Sequence, residues 1–270
     1  MRRYLKGALL IAALTVAGHT AEAQGQAPAP KALEGARSFL FVGNSFFYYN
    51  NSMHSYFLDL ARAADQEHAK TYRGVSATTS GSGLNWHNME GYFGKGMASY
   101  SFDPENRVVF NTSDKPFDVV IMNDCSQCPV HPQLSGLFKE YVRKHGDTVR
   151  QHGATPVLFM TWAYQDKPEM TEQLAQAYTE EGKTNGMLVI PAGLAFANAL
   201  ARRPDVVLYQ KDKRHPTLAG TYLGAATAYA AIFRKSPQGS PVTGGLDPDL
   251  AAFLQGVAWE TVQAYANSKS

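Results

Sequence analysis

From Ser38 almost to its C-terminus, the chain alternates short, continuously apolar runs with longer stretches of helical periodicity. That alternation leaves few folds open. A run that is apolar at every position suits a strand covered on both faces, and strands separated by helices pair in parallel, because parallel neighbours need a crossover between them. Strands are expected at residues 39–42, 72–77 (a weaker run), 119–122, 156–161, 187–190 and 206–209. Helices are expected at 52–66, 133–151, 169–181, 194–202 and 217–233, with a last one at 247–265 packed outside. No internal repeat and no second linker follow Ser38, so residues 37–270 read as one three-layer α/β/α domain. Ligands of such domains bind beyond the carboxyl ends of the strands, which is where chemistry should be sought.

The N-terminus reads differently. Arg2, Arg3 and Lys6 precede an apolar run at 9–16, and Ala21-Glu22-Ala23 closes the segment. The run is too short to span a bilayer, so residues 1–23 are expected to be a signal peptide, which implies a periplasmic or secreted protein with no membrane span after cleavage. Residues 24–36, rich in Gln, Ala and Pro, are expected to be a flexible leader. Lys and Arg total 25 against 23 for Asp and Glu, and loss of the signal removes the small excess. A neutral surface excludes nucleic acid as a natural partner. In an oxidising compartment Cys125 and Cys128 are expected to form a tight disulfide. Their C-x-x-C spacing is accompanied by no other thioredoxin feature.

Four strand ends carry candidate groups. Gly43-Asn44-Ser45-Phe46 follows the first strand, where a turn into a helix exposes a hydroxyl and the helix N-terminus favours developing negative charge. Asp212-Lys213-Arg214-His215-Pro216 lies between the last expected strand and a helix. A serine becomes a nucleophile when an imidazole takes its proton, and the imidazole needs a carboxylate to fix its tautomer; Ser45, His215 and Asp212 supply these roles. Asn123, at the end of the 119–122 run, offers an amide to an oxyanion, and Ser80-Gly81-Ser82-Gly83 offers a backbone N–H. Taken singly, each segment also reads as a cap, a turn or a charged loop.

As a set, these pieces resemble the SGNH or GDSL-type hydrolases, named for a Ser, Gly, Asn and His in four separated blocks. The matching pieces are Gly43-Asn44-Ser45, a glycine within 80–83, Met122-Asn123-Asp124 and Asp212-x-x-His215. Gly-Asn-Ser-Phe and the later His215-Pro216-Thr217-Leu218 further resemble a bacterial branch labelled a domain of unknown function. Two positions depart from the usual pattern: Asn44 replaces an Asp, and Ile121 stands where a glycine is usual. The resemblance implies a flavodoxin-like sheet and a Ser45–His215–Asp212 triad. It also implies an oxyanion hole made by the N–H of Ser45, the N–H of Gly81 and the amide of Asn123, with neither metal nor organic cofactor. Gly81 is preferred to Gly83 because it comes sooner after the strand.

Other motifs carry less. Gly182-Lys183-Thr184 mimics the end of a phosphate loop, but Ala177 replaces the required glycine, and a helix C-cap is expected there. His87, His131, His145 and His152 have no zinc-site spacing. Trp86, His87 and Trp162 follow strand ends and are expected to line the substrate cleft. The whole reads as an exported serine esterase releasing short acyl groups, such as acetyl, from a carbohydrate. A lipase or arylesterase, an acyltransferase and a non-catalytic glycan-binding protein remain open alternatives.

Overall fold

The computed structural model describes residues 33–94, 100–110, 113 and 115–268; the expected signal peptide and most of the leader lie outside them. The strands are β1 (Ser38–Gly43), β2 (Arg73–Thr78), β3 (Tyr100–Phe102), β4 (Val108–Phe110), β5 (Val119–Met122), β6 (Thr155–Phe159) and β7 (Leu188–Ile190). The helices are α1 (Ser45–Tyr48), α2 (Met53–Ala64), α3 (Ser135–Gln151), α4 (Met170–Thr184), α5 (Ala192–Arg202), α6 (Leu218–Phe233) and α7 (Pro248–Asn267).

Five strands form one parallel sheet in the order β2-β1-β5-β6-β7. Numbered among themselves they run 2-1-3-4-5, the flavodoxin-like order, whose direction reverses between β1 and β5. The period of two along each strand divides the core. Phe39, Phe41, Ile121, Val157 and Phe159 face α2, α5, α6 and α7, whereas Leu40, Val42, Val120, Met122 and Leu158 face α3 and α4. Both faces are therefore dry, as the unbroken apolar runs require. Helix α6 is buried from Ala219 to Phe233 and packs on α2, α5 and α7, so its apolar character all round reflects a central position. No helix among the described residues is long and apolar enough to cross a membrane.

Three expectations change. Residues 206–209 form no strand; only an isolated antiparallel bridge joins Tyr209 to Pro216. Residues 33–36, expected in the leader, are tied to the domain: Leu33 donates its N–H to the Ile232 carbonyl at 2.9 Å and Ala36 is buried in the core. Gly182 lies inside the last turn of α4 and does not cap it. A Cβ there would sit 2.4 Å from Cγ2 of Val189, so the glycine lets the helix approach β7.

Candidate active site

Strand β1 ends at Gly43, where a Cβ would fall 1.8 Å from Oδ1 of Asn123; the glycine leaves room for the Asn123 amide against the end of β1. Asn44 then caps α1, its Oδ1 accepting the Phe46 N–H at 3.1 Å. Its Nδ2 donates to the carbonyls of Ser82 (2.9 Å) and Asp124 (3.1 Å), tying three strand-end loops together. The cap and the chemical position are thus adjacent residues: Asn44 holds the turn, and Ser45 opens the helix at 7% exposure.

The Tyr209–Pro216 bridge closes the base of a loop, and within it the Gln210 N–H donates to the His215 carbonyl at 2.8 Å. Asp212 organises this loop: its Oδ1 accepts the N–H groups of Arg214 and His215, each at 3.0 Å, while Oδ2 bonds Nδ1 of His215. With the Nδ1 proton directed at the carboxylate, Nε2 is left to accept, and it lies 2.8 Å from Oγ of Ser45. Partial burial pushes the Asp212 carboxyl upward. The ring N–H and backbone N–H groups of this loop outweigh it and hold the group down at about 2. The structure therefore brings Ser45, His215 and Asp212 into one hydrogen-bonded chain.

Aromatic and amide side chains fix this loop to the rest of the domain. Trp162 donates from Nε1 to the Arg214 carbonyl at 2.9 Å, and its ring is stacked between Phe46 (4.5 Å) and Phe196 (4.1 Å). Trp162 is fully buried, so it buttresses the loop from within and does not line a cleft. His87 is buried as well. Because the Ser82 hydroxyl donates to the Gly43 carbonyl, His87 must donate its Nε2–H to Ser82, leaving Nδ1 to accept from the Tyr92 hydroxyl. Burial and nearby His145 lower its pKa to about 4, which keeps the ring neutral. Of the three expected cleft residues, Trp86 alone is exposed, at 65%.

No family model matches the sequence, and no curated protein does either. Solved structures do resemble it. A DUF4886 family protein from Bacteroides uniformis aligns with TM-score 0.57 over 84% of this chain and 94% of its own, at 17% identity. A protein from Slackia heliotrinireducens provisionally classed as an SGNH hydrolase aligns at 0.53 over 73% and 99%, with 19% identity. A mutant of an acetyl-xylooligosaccharide esterase from Geobacillus also aligns at 0.53, over 73% and 94%, with 15% identity. The chain has the SGNH hydrolase fold.

Within this SGNH fold the β1/β5 reversal point holds Ser45 on one side and Asn123 on the other. Asn123 is 1% exposed, and neither its Nδ2 nor its Oδ1 has a hydrogen-bond partner. Such an amide is costly to bury unless something else engages it. Among the described residues, the N–H groups of Ser45 and Gly81 likewise donate to no protein acceptor. Gly81 has φ +70°, a conformation suited to glycine, and the space where its Cβ would be is open. Next door, the Asp124 Oδ1 accepts from Leu84 (2.9 Å) and Cys125 (2.7 Å), and burial raises its pKa to about 6. Cys125 and Cys128 are joined in a disulfide, so their proximity to Asp124 makes no cation site.

The structure also shows contacts at the site that the sequence does not give, although the aromatic run 46–49 after Ser45 is plain in it. Tyr49 lies flat on the His215 ring, 4.4 Å between centroids and 8° between planes, and Tyr48 stacks on Tyr49 at 5.6 Å. Asn50 donates from Nδ2 to the Pro216 carbonyl (2.9 Å) and to Thr221 Oγ1 (2.8 Å). Asn50, Asn51 and Ser52 have φ of 53°, 66° and 67°, three successive non-glycine residues in the left-handed region. The consecutive asparagines were the available clue, since Asn tolerates this conformation better than most residues.

Proposed function

We propose that the protein is an exported serine hydrolase of carboxylic esters that removes short acyl groups, such as acetyl, from a carbohydrate. The observation carrying this reading is the Ser45–His215–Asp212 hydrogen-bonded chain, together with unengaged donors on Ser45, Gly81 and Asn123. Ser45 Oγ attacks the acyl carbon while Nε2 of His215 takes its proton, and the low-pKa Asp212 carboxylate stabilises the resulting imidazolium. The carbonyl oxygen, now negative, is met by the three unengaged donors. His215 then returns the proton to the departing alcohol. Water repeats the sequence on the acyl-enzyme and frees Ser45.

Support for a glycan substrate comes from the likeness to an acetyl-xylooligosaccharide esterase and from exposed aromatic surface. Tyr48, stacked on Tyr49, is partly exposed, and Trp86 is largely exposed. Aromatic faces suit the flat sides of sugar rings. The apolar run at 9–16 supports export. Turnover of p-nitrophenyl acetate by the purified protein is expected to fall to background in Ser45→Ala with an unchanged circular dichroism spectrum. Undiminished turnover in that variant would overturn the reading. Acetylated xylo-oligosaccharides set against p-nitrophenyl esters of increasing length then test the acetyl and sugar assignments.

A further inference from the structure

Arg214 lies between two residues of the candidate triad, yet the proposed reaction uses only its backbone. Its N–H is held by Asp212 and its carbonyl by Trp162, so the Cα is fixed on both sides. Its guanidinium lies over the Tyr164 ring, 4.6 Å from carbon to centroid, and the Tyr164 hydroxyl is anchored to Ser126 Oγ at 2.7 Å. Ser126 follows Asn123 by three positions. The cation therefore sits over the β6 loop, between the loop bearing Asn123 and the loop bearing His215.

The charge is uncompensated. Arg37 and Arg202 sit on Asp65 and Glu260, but among the described residues the Arg214 guanidinium has neither a carboxylate partner nor a hydrogen-bond acceptor. Its two charged predecessors in the loop are already engaged. Lys213 pairs with Asp166 at 3.6 Å, and Asp212 holds His215. Stacking on an aromatic face occupies the plane of a guanidinium and leaves its N–H fork directed outward, in the plane where a carboxylate is bound by two parallel hydrogen bonds.

The reaction geometry says which part of a substrate arrives there. The leaving oxygen must take its proton from Nε2 of His215, so the alcohol part of the ester lies against the His215 loop. We infer that Arg214 selects esters whose alcohol part carries a carboxylate, as the uronic acid units of an acidic glycan do. This inference rests on the esterase reading and narrows its substrate.

Binding without turnover tests it separately. Kd values for 4-acetamidobenzoate and its neutral counterpart 4-acetamidobenzamide, neither of which is an ester, are measured by NMR titration of the wild-type protein and Arg214→Gln. The wild-type preference for the anion is expected to fall about tenfold in the variant, the loss of one charge-assisted contact. A preference equal in both proteins, or absent from the wild type, overturns the inference. Hydrolysis of 4-acetoxybenzoate and 4-acetoxybenzamide is followed in parallel. Failure of the wild type to cleave either ester counts against the esterase reading and leaves the binding result to decide the role of Arg214. With turnover, the ratio of kcat/KM for the two esters should drop by a similar factor in Arg214→Gln.

Discussion

Asn123 separates the requirements of folding from those of chemistry. A buried amide with no partner costs about 1–3 kcal/mol, so nothing in the resting protein rewards its presence. Asn123→Ala is therefore expected to leave the urea midpoint unchanged or raised, while kcat on p-nitrophenyl acetate falls by about 10²–10³, as for loss of one oxyanion donor. A large loss of stability with little loss of kcat would make the residue structural. Single residues were legible to different degrees. Ser45, Asp212 and His215 stood out because a proton relay accepts few residue types. Trp162 and His87 did not, because an indole or imidazole after a strand end looks the same in sequence whether it faces a cleft or the packing behind it. Tyr49 was visible only as one of four aromatic residues that follow Ser45, since its stacking partner is a ring 166 residues away in the chain.

Among the elements, the turn between α1 and α2 carries the clearest strain. Three left-handed non-glycine residues cost about 1 kcal/mol each or more, and the turn delivers Asn50 to Pro216 and Tyr49 to His215. Asn51→Gly, which relieves one of them, is expected to raise stability by up to about 1 kcal/mol in urea unfolding. Asn50→Ala, which releases Pro216, is expected to lower kcat about tenfold or more through a looser His215 loop. Strands β1 and β5 were readable within a residue because both faces are buried and the apolar run is unbroken. The β3–β4 hairpin was not, because Tyr100, Phe102, Val108 and Phe110 are exposed and no core imposes a pattern. The 206–209 run resembled a strand but is buried as the neck of the loop that carries His215, with Val206, Leu208 and Tyr209 turned into the core.

At the level of the whole molecule, opposing buried charges set the response to acid. Asp124 titrates near 6 in the fold against 3.8 in the open chain, so the folded state holds the extra proton and stability falls as pH rises across that interval. Two pH units correspond to about 3 kcal/mol. His87 works the other way: near 4 in the fold against 6.5, it makes stability fall as pH drops through the same range. Wild-type urea midpoints should therefore vary little between pH 4 and 6. Asp124→Asn, which keeps an acceptor for Leu84 and Cys125, should be more stable at pH 7 and lose stability steeply on acidification. A flat profile in the variant would remove this account. Asp212, exposed and already ionised, contributes below pH 4, where its protonation loosens the His215 loop.

Ser45 and its imidazole partner are 170 positions apart in the chain, one after the first strand and the other after the last. Contacts of such separation form late, after the intervening sheet has assembled. Until then the Ser45 hydroxyl lacks an imidazole to take its proton and is an ordinary alcohol. Ser45 therefore gains its imidazole partner in a single step, when the C-terminal third docks, a consequence of the topology itself.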